Sequence, residues 1–205
     1  AVTATIARDL DAAGCHVIEI GFPFSDPIAD GPVIQASYTR ALSRGLKLDA
    51  IFECAESLTT SDRKIQAPLV GMVSYTLIHR RGIASFLDRA KRSGFAGLIV
   101  PDLPAEESAD FARLCAERGL CNVMLVAPTT SPERAAMIAK RSTGFLYCVS
   151  IAGITGERDR LPEELQAHLQ RLRSMTELPL CVGFGVSRPE HVRSLRESAD
   201  GAIVG

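Results

Sequence analysis

Short apolar runs of strand length alternate with amphipathic stretches of helical length along all 205 residues, with no composition break. That pattern predicts an α/β protein with a parallel sheet, forming a single domain over 1–205. A (β/α)8 barrel and a doubly wound sheet both satisfy it. Two further observations favour the barrel. Glycine-rich stretches follow the late strands, where barrels build phosphate sites, and no GxGxxG follows the first strand to mark a dinucleotide fold. The alternation counts seven strands, opening on a helix and closing on a strand. It therefore predicts a partial (β/α)8 barrel, with a first strand missing before the first helix and a last helix missing after Gly205.

The elements follow in order. Residues 2–13 read as a helix stopped at Gly14, and 16–20 as the first strand. A loop with Pro23, Pro27 and Pro32 leads to helical stretches at 32–43 and 48–60. Pro68 introduces a strand at 69–73; a helix at 83–93 ends at Gly94, and a strand at 96–100 runs into Pro101-Asp102. A helix at 105–118 stops at Gly119 and precedes a strand at 122–126. Ser131 is placed to cap a helix at 132–141 with Pro132 at its first position. Strand 145–149, helix 162–174, strand 179–182, helix 188–196 and strand 201–204 complete the chain.

Composition narrows the function classes. The chain is 46% hydrophobic with a net charge of −1, which offers nothing to a polyanion and does not read as disordered. No apolar run approaches the roughly 20 residues of a spanning helix, and no signal-peptide pattern is present. Nucleic-acid and membrane partners are therefore not expected. The six cysteines (15, 54, 115, 121, 148 and 181) lack CxxC spacing and close histidines, so they read as reduced thiols, without a metal site, in a cytoplasmic protein.

In a barrel, residues just after each strand share the catalytic face. That rule nominates Glu19, Asp26, Asp30, Ser74, Asp102, Thr129, Tyr147, Thr155, Gly156, Gly183 and Gly185. Glu19 lies in the run VIEIG, where a carboxylate is costly to bury unless paired or used, and where desolvation would raise its pKa toward neutrality. A structural partner, Arg or Lys, is the alternative. Asp30 sits in a loop stiffened by its prolines; an ordinary turn aspartate before Gly31 is the alternative there. Gly153, Gly156, Gly183 and Gly185 could admit a phosphate to backbone N–H groups, and GFGVS precedes a helix N-terminus. These features predict a barrel enzyme with an acid/base pair acting on a phosphorylated small molecule.

The stretch EIGFPFSDPIADGPVIQ (19–35) closely resembles the signature of the tryptophan synthase α subunit family. VPDLPAEE (100–107), LVAPTTSPER (125–134), YCVSIAGITG (147–156) and GFGVSRPEHV (183–192) follow in the family's order. The resemblance implies an indole-3-glycerol-phosphate lyase that releases indole and glyceraldehyde 3-phosphate by retro-aldol cleavage. It makes Glu19 the general acid/base and gives Asp30 the indole N–H. Tyr147, Thr155 and Asp102 become substrate-binding positions, and Gly156, Gly183, Gly185 and Gly205 the phosphate cradle. Pro23 and Asp26 match positions that meet a β subunit in an α2β2 tetramer. No cofactor is implied for this chain, because pyridoxal phosphate belongs to the β partner.

One segment departs from the family pattern. After strand 69–73 the chain reads SYTLIH (74–79), where a Tyr-rich segment with Asn-Pro is common, so substrate packing or partner coupling could differ. A stand-alone lyase releasing free indole, a non-catalytic activator of β, and another phosphate-binding barrel such as an epimerase are the competing readings.

Overall fold

The computed structural model describes every residue except 1, 28–30, 151–162, 184 and 187. It groups into two compact units, Ala1–Asn122 and Val123–Gly205.

The first unit opens with α1 (Val2–Ala12) and β1 (Ile18–Gly21), then α2 (Pro32–Ser43) and α3 (Leu48–Thr59). It continues through β2 (Leu69–Met72), α4 (Tyr75–Arg81), α5 (Ile83–Arg92) and β3 (Phe95–Ile99). A 3₁₀ turn at Ala105–Glu107, α6 (Ala109–Glu117) and β4 (Cys121–Val123) follow. The strands form a sheet in the order β1-β2-β3-β4. β1 pairs parallel with β2, Glu19 opposite Val70, and β2 pairs parallel with β3.

Four phenylalanines make the core of this unit. Phe22, Phe52, Phe86 and Phe95 are fully buried, with ring centroids 5.3 Å apart for Phe52–Phe86, 5.5 Å for Phe22–Phe52 and 5.7 Å for Phe22–Phe95. Edge-to-face and tilted rings at this spacing add attraction beyond buried area. The cluster dictates Gly71 at the centre of β2: a Cβ there would lie 3.0 Å from Phe22 and 3.1 Å from Leu98. A side chain there would force these neighbours to give by a few tenths of an ångström in a packed layer.

The second unit holds β5 (Leu125–Val126), α7 (Pro132–Arg141), β6 (Leu146–Val149), α8 (Glu163–Arg173), β7 (Leu180–Gly183), α9 (Pro189–Leu195) and β8 (Gly201–Ala202). Its sheet runs β5-β6-β7-β8, with parallel pairing throughout. The large side chains fully buried here are aliphatic, among them Leu146, Leu169, Leu172, Leu180 and Val182. β7 is held at its start by Asp200, which accepts the Leu180 N–H at 2.7 Å and an Arg173 hydrogen bond. The Arg173 bond holds the Asp200 carboxyl below the usual carboxylate range.

Helix boundaries agree closely with the sequence. Pro32 opens α2 and Pro132 opens α7, where Ser131 Oγ accepts the Arg134 N–H at 3.3 Å. Three details differ. The run 122–126, expected as one strand, is divided: β4 joins the first sheet and β5 the second, giving eight strands among the described residues instead of seven. The expected helix 105–118 begins as a 3₁₀ turn. The atypical segment after β2 forms a helix of its own, α4, and Gly82 (φ +86°) then turns the chain directly into α5.

Candidate functional site at the strand ends

β1 carries Glu19 by simple alternation. Ile18 and Ile20 are buried on one face, whereas Glu19 points to the other and is exposed. The expected buried carboxylate is thus corrected. VIEIG is a half-buried strand and not a continuously buried one. Asp30, the second expected acid, lies outside the described residues, as do Thr155 and Gly156.

Immediately beyond the ends of β1, β2 and β3 the first unit opens into a shallow cleft. Phe24, Pro27, Met72 and Pro101 give it apolar walls; Asp26, Tyr38, Ser74 and Asp102 supply its polar groups. Asp26 accepts the Ser25 hydroxyl at 2.5 Å, which ties the acidic loop to itself. Pro23, four residues beyond Glu19, is half-buried at the root of that loop.

Asp102 is committed to architecture. One carboxylate oxygen accepts the Ser74 hydroxyl at 2.6 Å, and the other accepts the Tyr75 N–H at 2.7 Å. Ser74 in turn caps α4 by accepting the Thr76 N–H at 3.2 Å. A negative charge at a helix N-terminus is favourable, and here it also joins the end of β2 to the loop after β3. Asp102, expected to bind substrate, lines the cleft with both oxygens already accepting hydrogen bonds.

In the second unit Tyr147 and Gly183 occupy neighbouring strands. Tyr147 is 4% exposed, and its register partner is Cys181, so Gly183 lies diagonally ahead on the same face. A Cβ at Gly183 would overlap the Tyr147 hydroxyl and sit 2.5 Å from Cζ and 2.6 Å from Cε1. The glycine expected to admit a phosphate therefore also makes room for the tyrosine ring. Gly185 takes φ +80°, a left-handed conformation that favours glycine. Gly205 is exposed at the chain's end with open space beside it, and Thr129 is exposed after β5.

All six cysteines are free; burial pushes the Cys115 and Cys148 thiols up to about 12 and Cys181 to about 11, so these three offer no thiolate near neutrality. His168 on α8 is 2% exposed and held down at about 4, first by burial and then by the Arg171 charge. Its Nδ1 accepts from Arg171 Nη2 at 2.9 Å. No cluster of three His, Cys, Asp or Glu residues able to hold a metal exists among the described residues.

One member of this site, Tyr38, was not legible in the sequence, and neither was the contact between Ser74 and Asp102, which were each nominated singly. Tyr38, in the middle of α2, reaches back to the end of β1, and the Ser74–Asp102 pair joins residues 28 positions apart. No spacing rule signals either contact, because each depends on where helices return to the sheet.

The comparisons agree over the whole chain. The family profile described as Tryptophan synthase alpha chain matches residues 1–205. A tryptophan synthase alpha chain from Rhodopirellula baltica is 49% identical over 193 residues, covering 94% of this chain and 69% of that one. The Acaryochloris marina protein of the same description is 47% identical over 206 residues, covering 100% and 76%. Among solved structures, a chain of the tryptophan synthase α2β2 complex of Pyrococcus furiosus superposes with a TM-score of 0.90 at 40% identity, over 99% of this chain and 82% of that one. Tryptophan synthase subunit alpha from Legionella pneumophila gives 0.88 at 35% identity, over 100% and 74%. The fold class is that of these (β/α)8-barrel relatives. This chain belongs to the tryptophan synthase alpha chain family.

Proposed function

We propose that the chain is the α subunit that cleaves indole-3-glycerol phosphate to indole and glyceraldehyde 3-phosphate and passes the indole to a β subunit within an α2β2 tetramer. The observation that carries this reading is the match over residues 1–205, which takes in the whole acidic stretch Glu19–Gln35. C–C cleavage of this substrate needs the indole ring protonated at C3 and a base for the glycerol hydroxyl. Glu19 would serve both needs in turn, and Asp30 would stabilise the positive charge that builds on the indole nitrogen. An exposed Glu19 on the face away from the core suits an acid that must meet a substrate.

Tyr147 and Thr155 would hold the substrate and Asp102 would shape its pocket. Gly156, Gly183, Gly185 and Gly205 would present backbone to the phosphate. Pro23 and Asp26, in the loop beyond β1, would face β. The reaction needs no group from this chain beyond its side chains and backbone, so the proposal assigns pyridoxal phosphate to the β partner alone. A cytoplasmic location is part of the same reading; no helix among the described residues is long and apolar enough to cross a membrane.

The test is an indole-release assay on the full-length protein with indole-3-glycerol phosphate, run with and without β. Release that rises when β is added is expected. No release at all would sink the lyase reading, and release indifferent to β would leave a stand-alone lyase.

A further inference from the structure

We infer that Tyr38 is a positioning residue of the lyase site, its phenol pinning the base of the acidic loop on the face of β1 that carries Glu19. The inference rests on the lyase reading above and adds a residue to it.

The geometry is specific. Side chains two apart on a strand share a face, so a Cβ at Gly21 would stand on the same side as Glu19, about 7 Å further along. That space is taken: a Cβ there would overlap the Tyr38 hydroxyl and lie 3.2 Å from Cε1 and Cζ. The phenol therefore occupies the room that Gly21 leaves open beside the acid.

Tyr38 comes from α2, the helix that the loop after β1 enters at Pro32. Helical side chains tilt toward the N-terminus, so Tyr38 leans back over the loop it follows. α2 has no fully buried residue, and its half-buried Tyr38 brings this helix to the end of β1. Tyr38 also lines the cleft with Phe24 and Asp26, both within the loop. Tyr38 thus ties α2 to the end of β1, beside Phe24 and Asp26 and on the face that carries Glu19, and a strand end held in this way presents its acid in a restricted geometry. Misplacement of a reacting group by about 1 Å can cost roughly 10²-fold in rate.

The test is a double-mutant cycle of Gly21→Ala and Tyr38→Phe in the full-length chain with β, reading kcat and KM for indole-3-glycerol phosphate and the thermal midpoint. Gly21→Ala is expected to lower kcat by about 10²-fold, because the new methyl displaces the phenol. Tyr38→Phe alone is expected to lower kcat by about tenfold while moving the midpoint by no more than about 2 °C. The double variant should return to the Tyr38→Phe level, since loss of the hydroxyl vacates the room the methyl needs. Additive losses, or a Tyr38→Phe variant with lowered midpoint and unchanged kcat, would overturn the inference. Should Gly21→Ala fail to fold, Tyr38→Phe and Tyr38→Ala decide it: unchanged kcat in both overturns it, and a graded fall supports it. An inactive wild-type protein would instead sink the lyase reading and this inference with it.

Discussion

Each unit sets a tyrosine against a glycine at the end of a strand, and the two pairs are built differently. In the second unit Tyr147 and Gly183 are neighbours in a parallel ladder, both buried, and a Cβ at the glycine would collide with ring carbons as well as the hydroxyl. In the first unit Tyr38 reaches Gly21 from a helix with no buried residues, and its hydroxyl is the main obstacle; the ring carbons lie 3.2 Å from the notional Cβ and would need to give only slightly. A strand-borne contact is positioned by the same hydrogen bonds that make the sheet. The helix-borne contact depends on where α2 returns to the strand end. The first arrangement favours stability, and the second couples a loop to the acid beside it. The cores echo the contrast, with a phenylalanine cluster in the first unit and aliphatic packing in the second.

The largest effect should come from the acid beside the helix-borne pair. Glu19→Gln is expected to reduce indole release roughly 10²- to 10⁴-fold with little change in thermal midpoint, because the side chain is exposed and contributes nothing to the core. A retained rate would remove Glu19 from the chemistry and leave the first unit without its functional distinction.

The next effect belongs to the second unit and is a matter of pH. The unfolded chain protonates His168 below about 6.5, whereas the folded chain does so only near 4. Stability should therefore be complete above about pH 6.5 and fall as the pH drops toward 4, by up to about 3 kcal/mol. Denaturant titrations across that range, compared with His168→Gln, check it; an identical pH slope in the variant would show that His168 is not responsible.

Gly183→Ala should cost about 1–3 kcal/mol by overpacking, seen as a midpoint lower by several degrees. Here the two pairs separate. Tyr147→Phe should not rescue Gly183→Ala, since Cζ and Cε1 would still lie 2.5 and 2.6 Å from the methyl. Rescue there would erase the distinction between the pairs.

The smallest effect compares two caps. Ser131→Ala should cost about 1 kcal/mol through the lost cap of α7. Ser74→Ala should cost somewhat more, because it also removes the hydroxyl that Asp102 accepts at 2.6 Å. Equal losses in melting experiments would mean that the Asp102 bond adds nothing to the cap.

Much of this molecule could be read before any coordinates. Pro32, Pro132, Ser131 and the glycines after helices are local signals, and the boundaries they predict agree with the structure because capping and φ restriction act within a few residues. The stretch from Glu19 to Gln35 carried the family, and its motifs named the residues proposed for chemistry. Apolar content alone misjudged Glu19. The run around it looks continuously buried, and only the choice of face, made by the sheet and the phenylalanines beneath it, leaves the carboxylate outside. The break between β4 and β5 was equally hidden, since each half joins a different sheet. Tyr38 against Gly21 and Ser74 against Asp102 are contacts across 17 and 28 positions. Sequence determined which elements form and which acids are present, because those depend on near neighbours along the chain. Tertiary structure decided which face each acid takes and which side chain stands beside it, because those depend on how helices return to the strand ends.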